Sequence, residues 1–175
     1  MDHEQGMGPS RREWLLAALG LLAGCGGVDS GGTGTGSAST LAVGPITGFG
    51  SIIVNGVRYD DALAAISDDD GVVRTTAELK LGMSAEVIAS AVSVVDGVAT
   101  ASASSIRVRS MIEGPVESID LAAGQLLAIG QNVLIVAGTV FDLGGSVPLA
   151  VGDVIEVHAT LDVARSSYVA TRIER

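Results

Sequence analysis

From Leu41 to the C-terminus, apolar and polar residues alternate in short runs broken by glycine-rich turns. A period of two places alternate side chains on opposite faces of a strand, so the pattern predicts β structure almost throughout. Ser51-Ile52-Ile53-Val54 and Val57-Arg58-Tyr59 flank Asn55-Gly56, a strong hairpin signal because both central residues of a type I′ turn need positive φ. Ala85 to Val92 and Ala99 to Val108 form a second pair around Asp96-Gly97. Leu126 to Ile129 is expected to turn through Gly130-Gln131-Asn132 into Val133 to Val136. Val154 to Leu161 alternates most cleanly, with Ile155, Val157, Ala159 and Leu161 on one face and Glu156, His158 and Thr160 on the other. That arrangement predicts a strand with one wet face and puts His158 on the surface. The helical candidates are the apolar run Trp14 to Leu22 and a short turn at Asp61 to Ala65.

The pattern repeats. Gly44-Pro45-Ile46 recurs as Gly114-Pro115-Val116, and Leu79-Lys80-Leu81-Gly82 with Glu86-Val87 recurs as Leu149-Ala150-Val151-Gly152 with Glu156-Val157. Ala103 to Val108 rhymes with Ala170 to Arg175, and Val57-Arg58-Tyr59-Asp60 resembles Thr139-Val140-Phe141-Asp142 in character. Two homologous units, residues 41–110 and 111–175, account for these echoes. Each has too few strands for two broad packed sheets, and a curled barrel removes exposed edges. The expected fold is all-β: two small OB-like barrels in tandem, with open sheets sharing one sandwich core as the alternative.

Composition sharpens the picture. The chain has 175 residues, a net charge of −10, 47% hydrophobic residues, 3% aromatics and 24 glycines. Small aliphatic residues with frequent glycine suit short strands and tight turns. An acidic chain nearly without lysine is a poor match for a phosphate backbone, so no nucleic-acid partner is expected.

The first 24 residues read as an export signal: a charged start with Arg11-Arg12, the apolar run Trp14 to Leu22, then small residues before Cys25. Leu22-Ala23-Gly24-Cys25 resembles the bacterial lipoprotein box, which implies cleavage between Gly24 and Cys25 and lipidation of the Cys25 sulfur. A thiolate is the sulfur nucleophile such alkylation needs, and an acyl anchor makes the membrane a partner. Gly26 after the cysteine implies, by the same resemblance, an outer-membrane location facing the periplasm in a Gram-negative host. Ser10-Arg11-Arg12-Glu13-Trp14-Leu15-Leu16 looks like a twin-arginine export motif, while paired arginines are equally at home in ordinary secretory signals. Residues 25–40 comprise the lipidated cysteine and a Gly/Ser/Thr-rich tether. Cys25 is the chain's single cysteine, so no internal disulfide can form.

The run Gly44 to Asp60, both Leu-x-x-Gly-x-x-x-Glu-Val motifs, Gly114-Pro115-Val116 with Ile119-Asp120, Thr139 to Asp142 and Ala170 to Ile173 are together similar to a bacterial family known only as domain of unknown function 5666. The resemblance implies secreted or lipid-anchored proteins with tandem β units. It carries over no reaction, ligand or site residue.

Candidate chemistry is sparse. Ser51 in Gly48-Phe49-Gly50-Ser51-Ile52 lacks the Gly-x-Ser-x-Gly turn of a serine hydrolase, and Gly48 and Gly50 lead into a hairpin instead of a nucleotide-binding helix. Asp68-Asp69-Asp70-Gly71 lacks the alternate spacing of a calcium loop and reads as a polar turn. Phe49, Tyr59 and Phe141 are expected in the core, Tyr59 and Phe141 as repeat equivalents and Phe49 in line with Ile119. No catalytic, metal or cofactor residues are assigned. The expected role is a non-enzymatic envelope protein that binds or scaffolds another envelope component, the alternative being a cation or glycan bound by the barrels.

Overall fold

The computed structural model describes residues 39–175, and every described element belongs to one of two closed five-stranded barrels. The first is built from β1 (Ser39–Gly48), β2 (Ile52–Val54), β3 (Val57–Asp60), β5 (Ser84–Ser90) and β7 (Val98–Arg109), with short β4 (Ala65–Ser67) and β6 (Ser93–Val95) added to β7. The second uses β8 (Ile112–Asp120), β9 (Gln125–Ala128), β10 (Gln131–Leu134), β12 (Val154–Asp162) and β13 (Ser167–Glu174), with β11 (Val140–Asp142) added to β13. In each, an antiparallel meander leads into a parallel closure, β3 on β7 and β10 on β13. The last two barrel strands then pair back onto the first, β7–β5–β1 and β13–β12–β8. This is the OB-like barrel expected from the repeat, realised twice with one topology. Each barrel has its own aliphatic core, around Ile46, Ile52, Val87 and Ile106 in the first and Val116, Val133, Ile155 and Ile173 in the second.

The repeated motifs are the parts that close the barrel. β1 and β8 each carry a bulge at the same repeat position, between Ile46 and Gly48 and between Val116 and Ser118. A bulge bends a strand and sharpens its twist, which lets one strand serve both sides of a small barrel. The Leu-x-x-Gly turn clamps the strand just before that bend. Gly82 N–H donates to the Ile46 carbonyl at 2.9 Å while Ile46 N–H donates to Met83 at 2.8 Å. Gly152, Val116 and Asp153 repeat the pair at 2.9 and 2.8 Å. Gly82 and Gly152 sit at φ +83 and +92, the left-handed region that favours glycine, and Leu79 and Leu149 before them are buried.

Gly44 and Gly114 answer to sterics. A Cβ on Gly44 would lie 2.5 Å from the Asn55 side-chain oxygen, and one on Gly114 would lie 2.5 Å from Ile129 Cγ2. In both barrels, therefore, the Gly-Pro motif makes a notch that seats the first residue of the β2–β3 or β9–β10 turn. Asn55 also donates to the Val43 carbonyl from that notch at 3.0 Å.

Several sequence expectations are corrected. The turns at Asn55-Gly56 and Asp96-Gly97 have the positive φ values foreseen, but the β9–β10 turn is Ile129-Gly130, one residue earlier than expected. Ile129 takes φ +42, costly for a β-branched residue, while its side chain fills the Gly114 notch. Tyr59 is not the equivalent of Phe141. Tyr59 pairs with Ala101 on β3, which corresponds to Val133 paired with Tyr168 on β10, whereas Phe141 lies on β11, the counterpart of β4. Tyr59 is buried as expected, but Phe49 and Phe141 are 45% and 42% exposed. Asp61 to Ala65 holds a β-turn closed by Ala64 N–H on the Asp61 carbonyl, and the described helical turn is instead the 3-10 segment Thr76–Glu78.

The two Leu-x-x-Gly turns differ in one respect. Around Gly152 a Cβ meets nothing within 4 Å, but at Gly82 it would strike the Thr171 backbone of the second barrel. Both alanine variants incur the left-handed strain, about 1–2 kcal/mol, and only Gly82→Ala also wedges the barrels apart. Chemical denaturation should therefore show a larger loss for Gly82→Ala than for Gly152→Ala; equal losses would mean that the contact contributes nothing.

Candidate functional site

The surface where the barrels meet is assembled from the outer face of β12 and β13. His158, expected on a wet surface, is fully buried there. Alternation along β12 places Ile155, Val157 and Ala159 in the core as expected, while Leu161 is 57% exposed at the strand's end; on the polar face His158 is covered because the first barrel docks there. Three backbone carbonyls of the first barrel receive that face. His158 Nδ1 lies 2.8 Å from the Arg109 carbonyl, the Thr171 hydroxyl 2.6 Å from Gly82 O, and Arg172 Nη1 3.3 Å from Leu81 O. The docking face is displayed at a second bulge, where the register shifts between His158 and Ala159.

Nδ1 meets two backbone groups of opposite polarity, the Arg109 carbonyl at 2.8 Å and the Ser84 N–H at 3.3 Å. A carbonyl can only accept, and the shorter contact favours the tautomer with the proton on Nδ1 and the lone pair on Nε2. Nε2 is buried without a hydrogen-bond partner. It faces Glu156 Oε1 at 3.5 Å and Glu174 Oε1 at 3.8 Å. Burial pushes the imidazole pKa down, against the pull of the Arg109 carbonyl and Glu174.

Those two carboxylates belong to a longer row. Glu113 pairs with Glu156, Glu156 with Glu174, and Glu174 with Asp142, so four acids stand abreast on β8, β12, β13 and β11. Like charges directly opposite one another destabilise a sheet. Arg172, itself buried, bonds Glu174 and Asp142 and relieves that end. Among the described residues Glu156 makes no such ion pair with an arginine or lysine, and Arg74, across a cleft from it, opposes its neighbours only in part. Desolvation, then Glu174, Glu113 and Asp69, push its carboxyl pKa up.

Glu156 and Glu174 form one wall of a cleft of about 350 Å³ between the barrels. Asp69 lies at its other side, and Ala77, Leu79, Met83 and Val108 supply apolar surface. Arg74 and Lys80 also line it; Arg74 is engaged by Asp68 at 2.7 Å and Glu78 at 3.3 Å, and the Lys80 ammonium donates to the Ala77 carbonyl at 3.4 Å. Asp68 additionally accepts Val72 N–H at 2.8 Å, which makes the Asp68 to Gly71 segment the polar turn the sequence suggested. Among the described residues no three His, Cys, Asp or Glu side chains converge as metal ligands.

Ser51 sits at φ +73 in the β1–β2 turn, and Tyr168 packs against the second core; neither lines the cleft. Cys25, Gly24, Arg11 and Arg12 lie outside the described residues, and no helix among the described residues is long and apolar enough to cross a membrane. Sequence reasoning missed the cleft because it treated the repeats for their likeness. Their differences carry the signal: Glu156-x-His158 and Arg172-x-Glu174 replace Glu86-x-Ile88 and Ser105-x-Arg107 of the first unit.

Residues 113–174 match the family model described as "Domain of unknown function (DUF5666)". Those residues are similar to that domain family over about a third of the chain. The matched segment is the second barrel, from Glu113 of β8 to Glu174 of β13, so all four acids of the row and the docking bulge lie within it. The first barrel lies outside the match and shares the matched barrel's strand order, bulges and turns. No curated protein and no solved structure matches this chain.

His158 gives the docked barrels a pH dependence with a definite sign. Its folded pKa lies below the ordinary 6.5, so the unfolded chain binds the proton first as pH falls. Stability from the neutral ring is complete above pH 6.5 and is lost below it, by at most about 1.4 kcal/mol per pH unit for one proton. Glu156, with its pKa raised, works in the opposite sense above its ordinary 4.5. Denaturation of wild type against His158→Asn, which keeps a donor for Arg109, isolates the first effect. Wild type should lose stability more steeply from pH 6.5 downward, and parallel curves would exclude the assignment.

Proposed function

We propose that this protein is a lipid-anchored component of the bacterial cell envelope that acts as a non-enzymatic binding module, with its ligand in the cleft between the barrels. The observation that carries the binding reading is the unbalanced carboxylate row: Glu156 is desolvated among Glu174, Glu113 and Asp69, and the opposing pull of Arg74, which is itself paired with Asp68 and Glu78, is the smallest of these influences. A cation placed there relieves the repulsion. The apolar surface from Leu79, Met83 and Val108, in a cleft of about 350 Å³, suits an organic cation with an aliphatic body, such as an alkylammonium group. That group occurs in free diamines and in lysine side chains of a partner, so this reading unites the small-ligand and scaffolding roles. A glycan is less well served, because stacking on sugar rings draws on exposed aromatics and none lines this cleft.

The anchor rests on Leu22-Ala23-Gly24-Cys25 and the tether after it. Export by either the twin-arginine or the general route delivers it to the periplasmic face of the outer membrane.

Two measurements test the halves separately. Cys25→Ser should abolish incorporation of labelled fatty acid and release the protein from membranes; labelling that persists would rule out the anchor. Titration with 1,5-diaminopentane should raise the melting temperature by mass action, and Glu156→Gln should weaken binding about tenfold while glucose binds neither form. Unchanged affinity in Glu156→Gln would remove the cleft from consideration, and a lysine-containing peptide binding where the free diamine does not would identify a protein partner as the source.

A further inference from the structure

The β6–β7 hairpin extends beyond the first barrel, and among the described residues no core covers either of its faces. Its three cross-strand pairs are Ser93–Thr100, Val94–Ala99 and Val95–Val98, closed by a turn with Asp96 and Gly97 at φ +52 and +80. Partners in a ladder share a face, so Val95 and Val98 point to one side and Val94 to the other. All are open to solvent: Val94 is 71% exposed, Val95 56%, Val98 46%, and Val92 at the base 42%. A hairpin that is apolar on both sides gains nothing from its own barrel, and its exposure needs a cause outside it.

The place where the chain enters the barrel points to that cause. Ser39, the first described residue, pairs with Ser90, and the Thr40 hydroxyl donates to the Ser90 carbonyl at 2.9 Å. The tether therefore arrives two residues before Val92, at the foot of the hairpin. Beside it the exposed pair Leu41–Ile88 adds two more apolar side chains to the barrel wall. Residues 26–38 separate Cys25 from this point, and a Gly/Ser/Thr-rich sequence of that length has an expected reach of about 20 Å root-mean-square. Between Ala91 and Ser105 the single charged residue is Asp96, so little charge must be stripped of water when the hairpin meets lipid.

We propose that the β6–β7 hairpin is a second membrane contact, lying in the interfacial layer of the bilayer to which Cys25 is anchored; this rests on the lipid-anchor reading above. The contact is shallow, because among the described residues β6 pairs only with β7, and its other backbone edge needs water or headgroup partners. One acyl attachment and one apolar surface then act together, and the barrel is held at the membrane instead of swinging on its tether.

The test uses the mature lipidated protein, beginning at Cys25, reconstituted in phosphatidylcholine vesicles. Val94→Cys is labelled with an environment-sensitive nitrobenzoxadiazole dye, and Val163→Cys, 78% exposed on the second barrel, is the control. Alkylated Cys25 leaves the introduced thiol as the single reactive one. The proposal expects a blue-shifted, brighter signal at position 94 that lipid-borne nitroxide quenches at least twofold more than at position 163. Equal, water-like signals at both positions overturn it. A shift at 94 that depends on protein concentration and appears equally without vesicles also overturns it, in favour of self-association through β6. Dye reacting at Cys25 in the unsubstituted protein refutes the anchor itself, which separates failure of that reading from failure of this one.

Discussion

A barrel of five short strands closes only if its first strand can turn a corner, and the rest of this molecule depends on how that corner is held. In β1 and β8 the bend is a bulge flanked by a Gly-Pro notch on one side and a Leu-x-x-Gly clamp on the other. The clamp supplies partners for backbone groups that the bend removes from the ladder, which matters because buried unpaired amides are costly. The notch lets the next hairpin turn lie flat against the same strand. Remove the bend and the parallel closure of β3 on β7 has no geometry to satisfy.

The same device is then reused. In the second barrel the Gly152 turn faces open space, whereas in the first the Gly82 turn is pressed into the bulge of β13. A loop needed for closure in every copy has become, in one copy, the docking element between copies. Its hydrogen bonds are made by backbone carbonyls, so that face of the first barrel carries few side-chain clues. The partner face needs a donor opposite each carbonyl, and His158, Thr171 and Arg172 are those donors.

This division explains what could be read from the chain. Hairpins at Asn55-Gly56 and Asp96-Gly97, the tandem repeat and the barrel architecture were legible because each is fixed by local turn chemistry or by period-two patterning. The Ile129 turn was not, since a β-branched residue at positive φ is held by a long-range notch at Gly114. Matching Tyr59 to Phe141 failed because both follow an aromatic-Asp pattern on short strands parallel to the last barrel strand, and only register separates them. The burial of His158 was illegible for a deeper reason. Alternation reports which face a residue occupies, but not what covers that face.

Natural sequences tend to satisfy every local rule except where something else is selected, and the carboxylate row breaks a simple one. Swapping Glu156 for threonine or glutamine would remove the like-charge pairing at no evident cost to β12, where a wet-face position tolerates either. The first barrel shows that the fold does not require this arrangement. Glu86, the repeat equivalent of Glu156, pairs across β5–β7 with Arg107 and lies 3.8 Å from Arg109. In the second barrel the position opposite is Glu174 instead of arginine. A neutralising partner present in one copy and replaced by a like charge in the other, directly beside a buried imidazole with an unused lone pair, is a difference that barrel stability does not account for. In the proposed binding role, a positively charged guest would supply the missing partner, and the cleft has room for it.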